Sequence, residues 1–403
     1  MMRLQQGNRK VFRMQQVNIS DVLWFQEGPG VRNTQYAESG VKLLNVANLV
    51  DGKVDISNTS RYISVQEAYG KYKHFLVDEG DFIIASSGIK VEYFDKKMGF
   101  ITADQLPLCM NTSTIRFKVL DDKKLSIRYF MYYLKSNTFK EQLSRQITGS
   151  AQLNFGPSHL KKMTMPMVDI VAQKEIVSKL DHIELLITSR KRQLEKLDEL
   201  VKVRFIELFS AENHSLYTVN DLCAQIVDCP HTTPKYEGEL RNPAIRTSEI
   251  KKGYITWDTM RYVSDKEYEE RTTRLKPEAG DIVYGREGTF GNAAILPQGF
   301  RFCLGQRVML LRPDYSKCTS EYLLYAVISD DVYRQALEKN NASTVAHVNV
   351  SDVKKFTIAM PPMAVQEQFA AFVKQTNMSK ETIKKRLEEL QSLRDSLMQQ
   401  YFE

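Results

Sequence analysis

The sequence predicts an α+β protein with a pseudo-twofold internal repeat. Two similar α+β domains are separated by two long helices that form an antiparallel coiled coil. Three observations lead to this fold: an internal repeat along most of the 403 residues, two segments with heptad spacing of apolar residues, and short β-rich runs between turn residues. The order along the chain is a globular segment, a helical segment, and both again.

The first globular segment spans residues 1–171 and combines strands with one helical stretch. The runs "KLLNVANL", "FLVDEGDFIIAS" and "STIRFKVL" have the alternating, β-branched character of strands. The stretch "SIRYFMYYLKSNTFKEQLSRQ" carries aromatic residues at helical spacing. Because aromatic residues dominate protein cores, we expect this stripe to pack inside the domain.

The first helical segment, residues 172–209, has an apolar residue at every seventh place: Leu180, Ile187, Leu194, Val201 and Leu208. A heptad seam of this length without Gly or Pro predicts a coiled coil. The alternative is a long amphipathic helix that lies on a globular core.

The second globular segment, residues 210–365, repeats the frame of the first. "RYISVQEAYGKYKHFLVDEGD" begins at Arg61 and "RYVSDKEYEERTTRLKPEAGD" begins at Arg261, 200 positions later. The strand-like runs are "NPAIRTSEI", "AGDIVYG" and "QRVMLLRP", and a second aromatic helix, "SEYLLYAVISDDVYRQALEK", follows.

The second helical segment, residues 366–403, matches the first at a constant offset of 193. Leu194 and Leu387 are one such pair, and Leu197 and Leu390 are another. Two similar helices in one chain would most simply pair with each other in antiparallel orientation.

Charge and cysteine content narrow the class of protein. Lys and Arg number 23 against 16 Asp and Glu in residues 1–171, but 19 against 20 in residues 210–365. A polyanionic partner is therefore plausible for the first domain on charge alone. Five scattered cysteines argue against a disulfide framework, and Cys109 and Cys303 are expected to be buried in strands.

No catalytic or metal-binding motif stands out. The chain has no P-loop, no dinucleotide fingerprint, no H-E-x-x-H, no G-x-S-x-G, and no Asn-Pro-Pro-aromatic tetrapeptide. We therefore predict a binding protein without catalytic residues, cofactor or metal. The polar N-terminal stretch and the lack of a long apolar run predict a cytoplasmic location.

The repeated stretches resemble one family, the specificity (S) subunits of type I restriction-modification systems. The matching stretches are "FQEGPGVRNTQYAESGVKLLNVANL" from Phe25, "CPHTTPKYEGELRNPAIRTSEI" from Cys229, "YVSDKEYEERTTRLKPEAGDIVYGREGTFGNA" and "STVAHVNVSDVKKFTIAMPP". Together with both helical segments, they extend the resemblance over essentially the whole chain.

The resemblance implies that each globular segment is a target recognition domain for one half of a split DNA sequence. The two helices would pair, hold the domains apart and dock two methyltransferase subunits, and a restriction subunit can join such a complex. Methyl transfer, translocation and cleavage would belong to these partners, in a bacterial or archaeal cytoplasm. A helix of 38 residues is about 57 Å long, or on the order of 15 base pairs of DNA.

Loops that differ between the two copies are the natural candidates for reading base edges. The candidate DNA-binding residues are Arg32, Asn33, Tyr36, Ser86, Ser87 and Lys90 in the first domain, and His231, Thr232, Thr233, Lys235, Arg286, Glu287 and Thr289 in the second. In this hypothesis Arg286 binds guanine and Glu287 accepts a hydrogen bond from cytosine.

Two other functions stay open from the sequence. A coiled-coil scaffold without a DNA role would not bind duplex DNA in a salt-dependent way. A self-sufficient DNA methyltransferase or nuclease would be active as a purified chain with S-adenosylmethionine or Mg²⁺.

Overall fold

The structure is a computed structural model that describes residues 14–146, 153–209, 214–237, 241–288, 291–339 and 347–403. The chain divides into two compact units. The first comprises the residues up to Ser189 together with Leu387–Glu403, and the second comprises Arg190–Arg386. Each unit therefore contains a globular part and portions of both long helices.

The first half of the chain forms short strands and helices that end in one long helix. In chain order these are β1 (Gln15–Asn18), α1 (Ile19–Val22), β2 (Leu23–Glu27), β3 (Val41–Leu44), β4 (Leu49–Val50), β5 (Lys53–Val54), β6 (Tyr62–Ile63), α2 (Val65–Tyr69), β7 (Phe82–Ala85), β8 (Ser87–Ile89), β9 (Met98–Phe100), β10 (Leu108–Met110), β11 (Thr114–Val119), α3 (Ile127–Lys135), α4 (Asn137–Gln146), β12 (Leu153–Asn154), α5 (Pro157–Leu160), β13 (Thr164–Met167) and α6 (Ile170–Phe209).

The second half repeats this order with small differences. Its elements are β14 (Ser215–Thr218), α7 (Val219–Leu222), β15 (Cys223–Asp228), β16 (Tyr236–Glu237), β17 (Asn242–Ile245), β18 (Arg261–Val263), α8 (Asp265–Arg271), β19 (Ile282–Gly285), β20 (Ala293–Ile295), β21 (Cys303–Leu304), β22 (Val308–Pro313), α9 (Ser320–Val327), α10 (Asp330–Lys339), α11 (Val350–Val353), β23 (Thr357–Met360) and α12 (Met363–Phe402).

Both units contain the same four-stranded antiparallel sheet. Its order is β2-β11-β7-β9 in the first unit and β15-β22-β19-β20 in the second. A second sheet also matches, since β10 runs parallel to β3 and β21 runs parallel to β17. The internal repeat in the sequence is therefore a repeat of topology, and the predicted α+β class is confirmed.

The predicted aromatic helices and strand cysteines lie inside the units. Tyr129, Phe130 and Tyr133 of α3 are buried in the core of the first unit, and Tyr322 of α9 is buried in the second. Cys109 and Cys303 lie in β10 and β21 and are fully buried.

The long helices pair in antiparallel orientation within each unit. In the first unit, Glu184 of α6 lies 3.8 Å from Arg394 of α12. In the second unit, Asp198 of α6 forms an ion pair with Lys380 of α12. From one ion pair to the other, α6 advances fourteen residues while α12 goes back fourteen, which is two heptads and confirms the predicted pairing.

The burial of the seam varies along each helix. Ile176 and Leu180 are fully buried and belong to the core of the first unit, whereas Leu194 and Leu197 are only half-buried. The beginning of α6 thus packs as an amphipathic helix on a globular core, and its middle has the burial of a two-stranded coil. Both interpretations of the heptad pattern apply, to different parts of the same helix.

The four segments predicted from the sequence differ slightly from the helices. The helices begin at Ile170 and Met363, ahead of the predicted starts at residues 172 and 366. The assignment of a separate role to each segment stays a prediction.

Two features are absent from the residues that the structure describes. None of their helices combines the length and the apolar character that crossing a bilayer needs. These residues also contain no group of three or more His, Cys, Asp or Glu side chains that could hold a metal ion.

Candidate nucleic-acid interface

Three loops meet at one end of the four-stranded sheet in the first unit. We call this meeting point the first loop junction, and it consists of residues 28–36, 86–90 and 111–113. The amide of Gly28 donates to the carbonyl of Thr114 at 2.9 Å, and the amide of Ser86 donates to the carbonyl of Ser113 at 2.8 Å. These hydrogen bonds extend the β2–β11–β7 ladder into the loops.

The second unit builds the same arrangement from different side chains. The second loop junction consists of residues 229–235, 286–288 and 305–307. The amide of Cys229 donates to the carbonyl of Val308 at 3.2 Å, and the amide of Arg286 donates to the carbonyl of Arg307 at 3.0 Å.

A fourth segment closes each junction in the same way. The amide of Phe155 donates to the carbonyl of Ser86, and the amide of Val348 donates to the carbonyl of Arg286, both at 3.0 Å. The two junctions therefore share one backbone framework.

Gly28 shows how tightly the loops approach each other. A Cβ atom at this position would lie 2.0 Å from the carbonyl oxygen of Asn111. A side chain would push the loop off the turn that precedes β11, so only glycine fits here. The amide side chain of Asn111 also holds this loop, because its Oδ1 accepts from the amide of Val31 at 3.1 Å.

The predicted residues of the first domain divide into exposed and buried ones. Arg32 and Asn33 are exposed at the start of a single 3-10 turn, and the ring of Tyr36 lies below the guanidinium of Arg61 at 5.6 Å. Ser86 is fully buried, whereas Ser87 is half-buried and its hydroxyl contacts that of Ser113 at 2.5 Å.

Lys90 lies apart from this group. It follows β8, and its ammonium pairs with Glu92 at 3.6 Å, with the Lys90 side chain largely exposed. Among the described residues, no hydrogen bond or ion pair connects the Lys90 side chain to the rest of the junction.

The predicted loop 231–235 of the second domain has exposed side chains, and a buried arginine holds its backbone. His231, Thr232, Thr233 and Lys235 are all exposed. The buried guanidinium of Arg271 donates to the carbonyl of Thr232 at 3.2 Å. The backbone of this loop is thus fixed while its side chains stay accessible.

Arg286 and Glu287 occupy different positions in the second junction. Arg286 is only 5% exposed, and its Nη2 lies 2.9 Å from Oδ1 of Asp228. Glu287 is 25% exposed and pairs with Arg307 at 3.0 Å and with His347 at 3.3 Å. In this conformation Arg286 cannot reach a base edge, so its guanidinium supports the loop from inside. Thr289 lies outside the described residues.

The acidic side chains of the second unit are mostly engaged by cations. Asp228 pairs with Arg286 and also lies 3.5 Å from His231. Glu267 is only 8% exposed and pairs with Arg271 at 3.5 Å. The carboxylates of Asp228 and Glu267 are therefore each paired with an arginine, so neither adds an uncompensated negative charge at the junction.

The first unit has a different acid at the position of Asp228. Glu27 is the last residue of β2, as Asp228 is the last residue of β15. Glu27 pairs with β11, and Asp228 pairs with the equivalent strand β22. No arginine matches Arg286 here, since the equivalent residue is Ser86. Burial raises the pKa of the Glu27 carboxyl.

The turn before β11 and β22 was not among the predicted sites. It contributes Asn111 and Ser113 to the first junction, and Gln306 and Arg307 to the second. Nε2 of Gln306 donates to Oγ1 of Thr233 at 2.9 Å. The sequences "CMNTST" and "CLGQRV" could have indicated this turn, since the frame is kept while the residues differ, the criterion applied to the other loops.

Comparison with known families decides which class of protein carries this arrangement. The family model described as "Type I restriction modification DNA specificity domain" matches residues 14–199 and again residues 236–392. The chain belongs to the type I restriction-modification DNA specificity family. The two matches correspond to the two repeats, and membership confirms the expected class of non-catalytic specificity subunits.

Curated members of the specificity family align with the chain at low identity. The StySPI specificity subunit from Salmonella potsdam is 24% identical over 385 residues, which cover 89% of this chain and 80% of that protein. The EcoKI specificity subunit from Escherichia coli K12 is 21% identical over 86% of this chain and 77% of that protein. The MjaVIII specificity subunit from Methanocaldococcus jannaschii is 24% identical, over 46% of this chain and 43% of that protein.

Solved structures share the fold over nearly the whole chain. A type I restriction-modification S subunit from M. genitalium has a TM-score of 0.55 at 14% identity and covers 99% of this chain and 98% of its own. A chain from a structure concerned with complex assembly and conformational transition of the type I system has a TM-score of 0.57 at 15% identity. That match covers 96% of this chain and 97% of its own.

Proposed function

We propose that this chain is the DNA-recognition subunit of a type I restriction-modification complex and reads a split duplex target. Each loop junction reads one half of the target, and the partners of the complex carry out the chemistry. The chain itself supplies no catalytic residue, cofactor or metal in this proposal.

The observation that carries the proposal is the duplicated junction. The same backbone hydrogen bonds hold both copies, for example from Ser86 to Ser113 and from Arg286 to Arg307. The side chains on this framework differ between the copies. A constant framework with variable side chains is what two readers of different sequences need.

The exposed polar residues of each junction supply the chemistry of base and phosphate contacts. Arginine and lysine bind phosphates or guanine, while asparagine, threonine and serine donate to and accept from base edges. We assign contact with DNA to Arg32, Asn33, Tyr36, Ser87 and Lys90 in the first unit, and to His231, Thr232, Thr233, Lys235 and Thr289 in the second. Glu287, whose two carboxylate oxygens pair with Arg307 and His347, would act by holding its neighbours in place. Ser86 and Arg286, which are buried, would act through the loops that they hold.

The paired helices are the proposed docking surface for methyltransferase subunits. Each helix is 40 residues long, or about 60 Å. Exposed apolar side chains such as Leu185, Leu200 and Met378 are available on the outer faces. Two methyltransferase copies, with restriction subunits in addition, would assemble on these faces in the cytoplasm.

The test is to co-express the chain with the methyltransferase subunit of its own system and to sequence the methylated positions of the host genome. The proposal expects one motif in two short blocks with an unread spacer of fixed length. A continuous motif, or no methylation that depends on the chain, would contradict it.

Assays on the purified chain distinguish the two other functions, a self-sufficient enzyme and a scaffold. Methyl transfer with S-adenosylmethionine, or cleavage with Mg²⁺, would identify a self-sufficient enzyme. A scaffold without a DNA role would leave duplex DNA unbound at low salt even with its partners present.

A further inference from the structure

Ser113 and Arg307 adopt the same unusual backbone conformation at equivalent places. Both have a φ angle of 65°, and they stand one residue before β11 and β22, which are inner strands of the two four-stranded sheets. Residues other than glycine, asparagine and aspartate seldom adopt this left-handed conformation. Its presence in both units, with side chains as different as serine and arginine, indicates that the turn geometry is fixed and the side chain is free to vary.

The side chain at this turn changes together with its neighbour in the adjacent loop. In the first unit, Ser113 contacts the hydroxyl of Ser87 at 2.5 Å. In the second unit, Nε of Arg307 lies 3.0 Å from Oε2 of Glu287. The two loops therefore carry a matched pair in each unit, a small neutral pair in one and a charged pair in the other.

Arg307 is accessible where Arg286 is not. Its side chain is 60% exposed, and the carboxylate that holds it is 25% exposed. The nearest contact with Glu287 is made by Nε, and within the described residues the terminal nitrogens of Arg307 donate no hydrogen bond. An arginine fixed in this way presents a planar pair of donors outward at a reduced cost in conformational entropy.

The neighbours of Arg307 in the junction are also polar. Gln306 donates a hydrogen bond to the exposed Thr233 of loop 229–235. Thr233 is therefore linked to the same turn that carries Arg307. The imidazole of His347 lies 3.3 Å from the other oxygen of Glu287. The turn at residues 305–307 thus contacts both other loops of the second junction.

We propose that Arg307 is a specificity-determining residue of the second unit and that Glu287 is its positioning residue. Arg307 donates in a bidentate manner to the O6 and N7 acceptors of a guanine in the second half of the target. Glu287 restricts the guanidinium to the orientation that this contact needs. This inference rests on the proposed function and names the base contact of that same site.

The test uses the chain in complex with its methyltransferase subunit and three variants of exposed arginines. Arg307→Ser introduces the residue of the first unit, and Arg307→Lys keeps the charge but removes the bidentate geometry. Arg301→Ser is the matched control, because Arg301 is also exposed and held by carboxylates, Asp265 and Glu269, but stands at the other end of β21. Methylated positions are sequenced for each complex, and binding is measured on duplexes that carry each base at each target position.

For both Arg307 variants we expect relaxed selection at one guanine of the second half. Discrimination there should fall roughly 5- to 150-fold, with the first half unchanged. Replacing that guanine by 7-deazaguanine in the duplex should weaken the wild-type complex and leave the Arg307→Ser complex unaffected. Glu287→Gln should relax the same position by a smaller factor, and Arg301→Ser should relax none.

Three results would overturn the inference. If Arg307→Ser weakened binding equally for every target sequence while Arg307→Lys kept the wild-type affinity and selection, Arg307 would be assigned to a phosphate. Unchanged selection in all variants, or a change in the first half, would remove Arg307 from recognition. A wild-type complex that reads no split motif would contradict the proposed function itself, whereas a split motif insensitive to Arg307 contradicts only this inference.

Discussion

Asp81 and Arg116 form a buried ion pair in the first unit, with 3.1 Å between Oδ2 and Nη1. In the second unit Asp281 pairs with Arg312 at 2.8 Å, and Arg312 stands at the position of Lys118, which also lies 3.3 Å from Asp81. In both copies the aspartate follows a glycine with positive φ and accepts a hydrogen bond from the amide three residues before it. The Gly-Asp dipeptide that the two repeats share therefore links β7 to β11 in the first unit and β19 to β22 in the second.

Removing one member of the first pair should destabilise the first unit strongly. Asp81→Asn leaves the buried guanidinium of Arg116 without its counter-charge, a change that typically costs about 3–5 kcal/mol. Urea unfolding of the full chain, followed by a probe in the first unit, measures the loss. Asp78→Asn is the control, because Asp78 is exposed and its pair with Lys118 is worth less than about 1 kcal/mol. Equal stability of the two variants would contradict the structural role of Asp81.

Gln173 and Gln366 fix the beginning of each long helix to its own unit. Both side chains are fully buried and make matching hydrogen bonds: Gln173 accepts from the amide of Ser126, and Gln366 accepts from the amide of Thr319. Each also donates to two backbone carbonyls.

Replacing Gln173 by alanine should therefore leave several buried backbone groups unpaired. Because each such group costs about 1–3 kcal/mol, Gln173→Ala should lower the thermal midpoint of the first unit clearly. Gln193→Ala, an exposed glutamine on the same helix, should leave it within about 1 °C. A Gln173→Ala variant as stable as the control would show that the helix start is held by apolar packing alone.

Shortening both helices by one heptad should shorten the spacer of the DNA target. Deleting residues 188–194 and 384–390 removes seven residues between the two interhelical ion pairs on each helix and keeps the seam in register. Seven residues rise about 10.5 Å, so the spacer should lose about three base pairs. Sequencing of methylated sites measures this length. Deletion from α6 alone breaks the register and should abolish methylation, whereas an unchanged spacer in the double deletion would exclude the helices as its determinant.

The buried cysteines should be unreactive in the folded chain. Burial raises the pKa of the Cys109 and Cys303 thiols to about 12, so very little thiolate is present at pH 8. A thiol reagent at pH 8 should label neither residue until urea is added, as peptide mass spectrometry can show. Rapid native labelling of either residue would mean that β10 or β21 is not packed as described.

The sequence predicts the architecture well because its signals are periodic or repeated. The heptads of α6 and α12 depend on local spacing, and the strands around Phe82 and Ile282 occur twice in the same frame. A pattern that appears twice gives an internal comparison even for a single chain. The two helices begin two to three residues before the predicted starts, and Ala172 and Val365 in their first turns pack against the cores of the units.

The candidate site was less predictable because burial is a tertiary property. Arg286 stands in a glycine-rich loop that the sequence predicts to be exposed. Its guanidinium is nevertheless buried, because it donates to the carboxylate of Asp228, 58 residues earlier. Arg307 directly precedes an apolar strand, and only the comparison of "CMNTST" with "CLGQRV" marks its turn as variable. The meeting of residues 228, 287 and 307 depends on strand order, which the sequence does not encode locally.

Exchanging one target-reading segment while keeping the other tests most sharply whether each unit reads its own half of the target. Residues 1–171 are replaced by the matching segment of a relative whose target is known, the hybrid is expressed with its methyltransferase subunit, and methylated positions are sequenced. One half of the motif should change to that of the donor, while the other half and the spacer length should stay as in the parent. A change in both halves, or a motif without two parts, would contradict that separate reading.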